Sequence, residues 1–119
     1  MKYLCLIYDE ERDWAAMPSS ESGAYLAECM AVQESIVAGG HFIAGEALNQ
    51  VAAAVTLRIR NGTLSTTDGP FAETKEQLGG FYLIEARDVD GALQVAARIP
   101  AARTGCVEVR PVVDFGHPA

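Results

Sequence analysis

Apolar and polar positions divide the chain into short blocks that alternate between strand and helix character. Residues 2–8, Lys2-Tyr3-Leu4-Cys5-Leu6-Ile7-Tyr8, are apolar on both alternating faces, the pattern of a strand covered on both sides. Residues 9–20 turn polar, carry Pro18, Ser19 and Ser20, and read as a loop. Ser20 or Ser22 suits the N-cap of a helix running to about Gly39. Within it Tyr25, Cys29, Val32 and Ile36 recur at helical spacing, and Leu26, Met30 and Val37 widen the stripe. Gly39-Gly40 supplies a left-handed stop.

His41 to Leu48 resumes an extended pattern, broken at Gly45. Val55, Leu57 and Ile59 alternate with Thr56, Arg58 and Arg60, which predicts a half-buried strand. Asn61-Gly62 tolerates positive φ at both positions and predicts a tight hairpin, with Thr63 to Thr67 returning. Phe81 to Ala86 is a further strand. Asp88 suits the N-cap of a second helix with Val89, Leu93, Ala96 and Ala97 on one face, ended by Pro100. Val107 to Val113 is the last strand, with Val107, Val109 and Pro111 on one face and Glu108 and Arg110 on the other. The order is strand, helix, strands, hairpin, strand, helix, strand. It predicts one α+β domain over residues 1–119, ferredoxin-like, an antiparallel sheet with two helices on one face. Two helices leave the other face uncovered. The two-sided apolar character of residues 3–8 therefore predicts a homodimer packed sheet to sheet.

Charge and cysteine usage narrow the function classes. The 119 residues carry 9 basic and 16 acidic side chains, a net charge of −7. The basic residues form no run, so nucleic acid and acidic membrane surfaces are disfavoured as partners. Cys5, Cys29 and Cys106 are odd in number, widely spaced and without a CxxC or Cys/His pairing. That predicts reduced thiols in a reducing cytoplasm, with no metal site. The apolar run at the N-terminus is too short for a signal-peptide core or a membrane span. No phosphate-cradling glycine loop, nucleophile elbow or HExxH is present, and no cofactor is implied.

The densest chemistry is Asp68-Gly69-Pro70-Phe71-Ala72-Glu73-Thr74-Lys75-Glu76, followed by Gly79-Gly80. Asp68 suits two roles, a turn former accepting backbone N–H groups and a cleft carboxylate acting as general base or anchoring a ligand. Glu73, Lys75 and Glu76 read either as a solvated cluster or as a site in which Lys75 holds negative charge on a substrate. Arg58 and Arg110, converging with Lys75, would form a carboxylate or phosphate receptor; Arg110 beside Glu108 also reads as an ordinary ion pair. His41 is the acid/base candidate of the folded part, since His117 falls in the tail. Glu46 follows Gly45 on the same strand, facing away from His41 unless a bulge at Gly45 intervenes. Trp14, in the first loop, reads as covering a core edge or a pocket.

Met1 to Tyr8, Gly45-Glu46-Ala47-Leu48, the Asp68–Glu76 segment with Gly79-Gly80-Phe81, and Val107-Glu108-Val109-Arg110-Pro111 together closely resemble the DGPF-motif branch of the YCII-related proteins. The resemblance covers nearly the whole chain. It implies a ferredoxin-like fold that dimerises as an α+β barrel, a bacterial origin, and for some relatives a link to extracytoplasmic-function sigma factors. In the wider superfamily a His-Asp pair is the proposed acid/base apparatus, and a muconolactone-dehalogenating enzyme looks similar. Asp68 matches the motif aspartate; no histidine of this chain matches the superfamily histidine.

Two function classes follow. One is a small cofactor-free enzyme on a small polar or acidic metabolite, with Asp68 or His41 moving a proton and Lys75 and arginines holding charge. The other is a ligand-binding or sigma-factor-associated accessory module whose motif segment is an interaction loop. A buried cleft around Asp68 favours the first, and a solvated loop favours the second.

Overall fold

The computed structural model describes residues 1–12 and 15–116, so Trp14 and His117 lie outside the described residues. The chain runs β1 (Lys2–Asp9), α1 (Ser19–Ala38), β2 (Phe42–Ala47), a 3-10 turn (Val51–Ala53), β3 (Val55–Arg60), β4 (Thr63–Asp68), β5 (Gln77–Glu85), α2 (Val89–Ala96), α3 (Ala101–Thr104) and β6 (Cys106–Pro111). Four strands form one antiparallel sheet in the order β2-β5-β1-β6, and β3-β4 forms a separate two-stranded ribbon. The architecture is α+β and compatible with a ferredoxin-like fold, with three helices among the described residues rather than two.

The apolar run of residues 2–8 becomes a central strand, flanked by β5 and β6. Cys5 stands opposite Tyr82 on one side and Val109 on the other, and Tyr3 opposite Ile84. Tyr3, Cys5 and Ile84 face the helices and form the core with Ile36, Ala92, Val95 and Ile99. The alternate residues Leu4, Leu6, Phe81 and Leu83 lie on the opposite face and stay half-buried in the single chain.

Helix ends follow local chemistry. The Asp88 side chain accepts a hydrogen bond from the Gly91 N–H at 2.9 Å, the expected N-cap of α2. At the end of α1, Gly40 takes φ 77°. Its N–H bonds Val37 O at 3.0 Å, and the His41 N–H bonds Ile36 O at 3.1 Å, which is a Schellman stop. Asn61 and Gly62, at φ 52° and 75°, make the expected hairpin turn between β3 and β4.

The structure corrects several sequence expectations. The first helix begins at Ser19 behind Pro18 with no side-chain cap; the Ser22 hydroxyl instead donates to Ser19 O at 3.2 Å. Only Ile36 of α1 is fully buried, and Leu26, Met30 and Val37 are exposed. The third long strand begins at Gln77, so Gly79-Gly80 lies inside β5, because Gly80 meets the Glu46 backbone too closely for a side chain. The second helix stops at Ala96, and Pro100 opens α3 rather than closing α2. The register irregularity of β2 falls between Phe42 and Ala44, not at Gly45. Val55, Leu57 and Ile59 are 62%, 55% and 58% exposed instead of half-buried, because the ribbon joins neither edge of the sheet.

Candidate functional site: a cleft under the first helix

A concavity of about 630 Å³ lies between the N-terminal half of α1 and the β2–β5 side of the sheet. Its origin is local. Val32 and Ile36 anchor the C-terminal half of α1 on the core. Under the N-terminal half the sheet presents Gly45 and Gly80, which have no side chains to reach the helix. Tyr25 and Cys29, one helical turn apart on α1, line one wall, and Tyr82 of β5 lines the other. A Cβ on Gly45 would stand 2.5 Å from Tyr82 Cδ1, so glycine there is what seats the Tyr82 ring. Phe42 supports it edge-on, with centroids 6.1 Å apart and planes at 71°.

The mouth of the cleft is the segment after β1. The Arg12 guanidinium lies 4.1 Å from the Tyr25 ring centroid and pairs with Asp9 at 3.3 Å. Asp9 also accepts the Thr104 hydroxyl at 2.6 Å. Glu11 Oε1 accepts the Val51 N–H at 2.8 Å, and the Glu11 N–H donates to Gln77 Oε1 at 3.1 Å. These bonds tie the mouth to α3, β5 and the 3-10 turn. Burial pushes the Tyr25 hydroxyl above its ordinary pKa and the adjacent Cys29 adds to the rise, while Arg12 partly offsets it. Burial, then Cys29, pushes Tyr82 up in the same direction. Both phenols therefore keep their protons at neutral pH and are hydrogen-bond donors. Ile7, Leu26, Met30 and Ile99 supply apolar surface. The cleft thus combines apolar walls with a few convergent donors, the usual make-up of a small-molecule site.

The seven residues singled out from sequence do not converge. Asp68 ends β4 opposite Val55 and is exposed, and among the described residues no hydrogen bond or ion pair holds its carboxylate. Its turn is closed without it, by the Gly69 N–H to Ala54 O at 2.7 Å and the Thr56 hydroxyl to Gly69 O at 2.8 Å. His41 packs at the far end of α1, with Nδ1 2.9 Å from Glu85 O. Lys75 is 86% exposed and 3.5 Å from Glu10, beside a shallow depression that also includes Glu76 and Glu108. Arg110 pairs with Glu108 on β6, Arg58 lies on the ribbon, and Glu73 is exposed in the loop before β5. Of the seven, Glu46 alone borders the cleft. Among the described residues no group of His, Cys, Asp and Glu is placed to hold a metal ion, and no helix is long and apolar enough to cross a membrane.

Sequence reasoning passed over Tyr25, Cys29, Tyr82 and Arg12. Tyr25 and Cys29 were legible as a helical pair but read as core. Their turn carries polar atoms into a space that only the glycines across from them leave open, and that juxtaposition is tertiary.

Fold and site together define a small α+β protein with a donor-lined cleft between helix and sheet. The YCII-related domain matches residues 1–116, and the chain belongs to that family. It is also 40% identical, over 117 residues, to an uncharacterised protein of Rhizobium meliloti (strain 1021); the match covers 97% of this chain and 94% of that one.

Proposed function

We propose that this protein takes a small, partly apolar metabolite bearing a carbonyl or carboxylate oxygen into the cleft under α1, as a cofactor-free acid/base catalyst. The observation that carries the reading is the convergence of Tyr25, Tyr82 and Arg12 on one cleft of about 630 Å³. Two phenols that keep their protons, beside a guanidinium, stabilise an oxygen on which negative charge grows, as in enolisation or isomerisation next to a carbonyl. Asp9 and Glu11 border the same space and are its candidate proton acceptors, whereas Glu46 pairs opposite Phe81 and turns its carboxylate to the other face of the sheet. The reading moves the chemistry from Asp68 and His41, which stand apart, to the cleft.

A thermal-shift screen of small keto acids, lactones and carboxylates on wild type, Tyr82→Phe and Arg12→Gln tests this. A ligand at about 100 times its dissociation constant adds roughly 2.7 kcal/mol of stability. Stabilisation of wild type that shrinks in folded Tyr82→Phe and Arg12→Gln is the expected result. Equal stabilisation of all three removes the cleft from the argument. Incubating the hits with enzyme and following solvent-deuterium uptake next to the carbonyl then separates turnover from binding.

One observation favours a second reading, an accessory module. The motif loop is solvated, with Phe71 83% exposed, as an interaction segment would be. On that reading its partner is a protein, a sigma factor or a second copy, and the cleft senses a metabolite without transforming it.

A further inference from the structure

The acid/base reading leaves a nucleophile of the cleft without a task. Cys5 is buried in the core, and Cys106 is exposed on β6. Cys29, of intermediate exposure, is the cysteine that lines the cleft. It shares that space with two phenols, a guanidinium and carboxylates, which is not the company of a packed core thiol.

Its neighbours suit a reacting sulfur. Cys29 raises the pKa of both Tyr25 and Tyr82, so its sulfur stands within electrostatic reach of each, and Tyr25 is also its hydrogen-bond partner. That bond favours the protonated phenol, so the Tyr25 hydroxyl donates and the sulfur accepts. Arg12, 4.1 Å from the Tyr25 ring centroid, brings positive charge to the same wall. The thiolate is the reacting form of a cysteine, and a donor and a cation beside it hold the charge it carries.

The layout favours one kind of electrophile. The sulfur is on the α1 wall and Tyr82 on the opposite wall, with Gly45 and Gly80 leaving the space between them open. Attack on a carbonyl carbon would put the new oxyanion next to the sulfur. Attack on the β-carbon of a conjugated C=C–C=O unit instead sends the charge to an oxygen several atoms away, toward the far wall. Ile7, Leu26 and Met30 supply surface for the apolar part of such a ligand.

We propose that Cys29 is the covalent-capture residue of the cleft, adding its sulfur to partly apolar α,β-unsaturated keto acids or lactones. The S–H bond breaks and its proton passes to a cleft carboxylate, Asp9 or Glu11. An S–C bond forms at the β-carbon, and the π electron pair shifts to the carbonyl oxygen as an enolate held by Tyr82 and Arg12. The enolate then takes a proton at its α-carbon. The whole ligand is retained, no group leaves and nothing is oxidised. This inference rests on the cleft reading above and narrows its substrate class.

Intact-protein mass spectrometry with peptide mapping tests it, with β-benzoylacrylic acid as the unsaturated probe and iodoacetamide as the reference reagent. Iodoacetamide is expected to follow exposure and label Cys106 before Cys29. The unsaturated acid is expected to reverse that order, labelling Cys29 at least about 10-fold faster than Cys106 and adding its full mass. Tyr82→Phe is expected to slow the labelling of Cys29 by the acid at least about 10-fold and to leave that of Cys106 unchanged. If Tyr82→Phe does not fold, Arg12→Gln is read the same way. Labelling of Cys106 first by the acid overturns the proposal, as does labelling of Cys29 that is equally fast in the folded variant. β-Benzoylpropionic acid, the saturated analogue, cannot accept a thiol and separates this inference from the reading beneath it. Stabilisation of wild type by the analogue without preferential labelling of Cys29 overturns the covalent step and keeps the cleft as a keto-acid site. An analogue that neither stabilises wild type nor slows labelling of Cys29 overturns both.

Discussion

Replacing Gly45 with alanine tests how the cleft is built. Gly45 does not adopt a left-handed φ, so the cost of the added methyl is steric. Its Cβ would stand 2.5 Å from Tyr82 Cδ1, 2.8 Å from Cε1 and 3.1 Å from Phe81 O. The Tyr82 ring must leave its seat, since the backbone oxygen cannot move without breaking the β2–β5 pairing. Losing the edge-on contact with Phe42 costs about 0.5–1.5 kcal/mol, and forcing the extra group into a packed site costs about 1–3 kcal/mol. The expected loss is about 2–4 kcal/mol, a fall of roughly 6–20 °C in Tm for a chain of this size. Gly23 is the control. It lies in α1 with nothing within 4 Å of a Cβ, and Gly23→Ala is expected to stabilise by about 0.5–1 kcal/mol. Differential scanning calorimetry reads both. Adding Gly45→Ala to Tyr82→Ala, where the ring is gone, should cost under about 0.5 kcal/mol, a coupling of about 2 kcal/mol or more between the two sites. Gly45→Ala as stable as wild type, or equally destabilising with and without the ring, refutes the seating of Tyr82 by Gly45.

Other expectations follow from the same packing. Ile36→Ala removes a fully buried side chain that fastens α1 to the core and should cost about 2–5 kcal/mol by denaturant unfolding. Gly62→Val places a β-branched residue at φ 75° and should cost about 1–3 kcal/mol; an unchanged Tm would contradict the turn. Burial holds the Cys5 thiol at about 11 against an ordinary 9.0. The folded state therefore binds this proton more tightly than the unfolded state. Stability should be full below pH 9 and fall by roughly 2–3 kcal/mol as pH rises through 11, with Cys5→Ala flattening the decline. Under native conditions a thiol reagent should modify exposed Cys106 first and leave buried Cys5 untouched until unfolding.

The order of elements was legible because each block had its own local signal: two-sided apolarity in β1, helical spacing in Tyr25-Cys29-Val32-Ile36, positive-φ chemistry at Asn61-Gly62, a capping Asp88. The layering of the ribbon was not. Val55, Leu57 and Ile59 show the same alternation whether the covering layer belongs to this chain or to another, and here the single chain does not supply it. The site was harder still. Charge density drew attention to Asp68, Glu73 and Lys75, yet charged residues crowd solvated loops for solubility as readily as they crowd clefts. The cleft residues are tyrosines, a cysteine and an arginine drawn from three separate segments. Nothing in their spacing brings them together, and the two glycines that open the space act through what they lack.

The most direct test of the cleft is a two-dimensional ¹H–¹⁵N NMR titration of the wild-type protein with a stabilising carboxylate or lactone. The account predicts saturable shifts at Arg12, Tyr25, Cys29, Gly45 and Tyr82, with the amides of Asp68 to Lys75 unmoved. Shifts centred on Asp68 to Lys75 that leave α1 and β5 unchanged would contradict it and return the site to the motif loop.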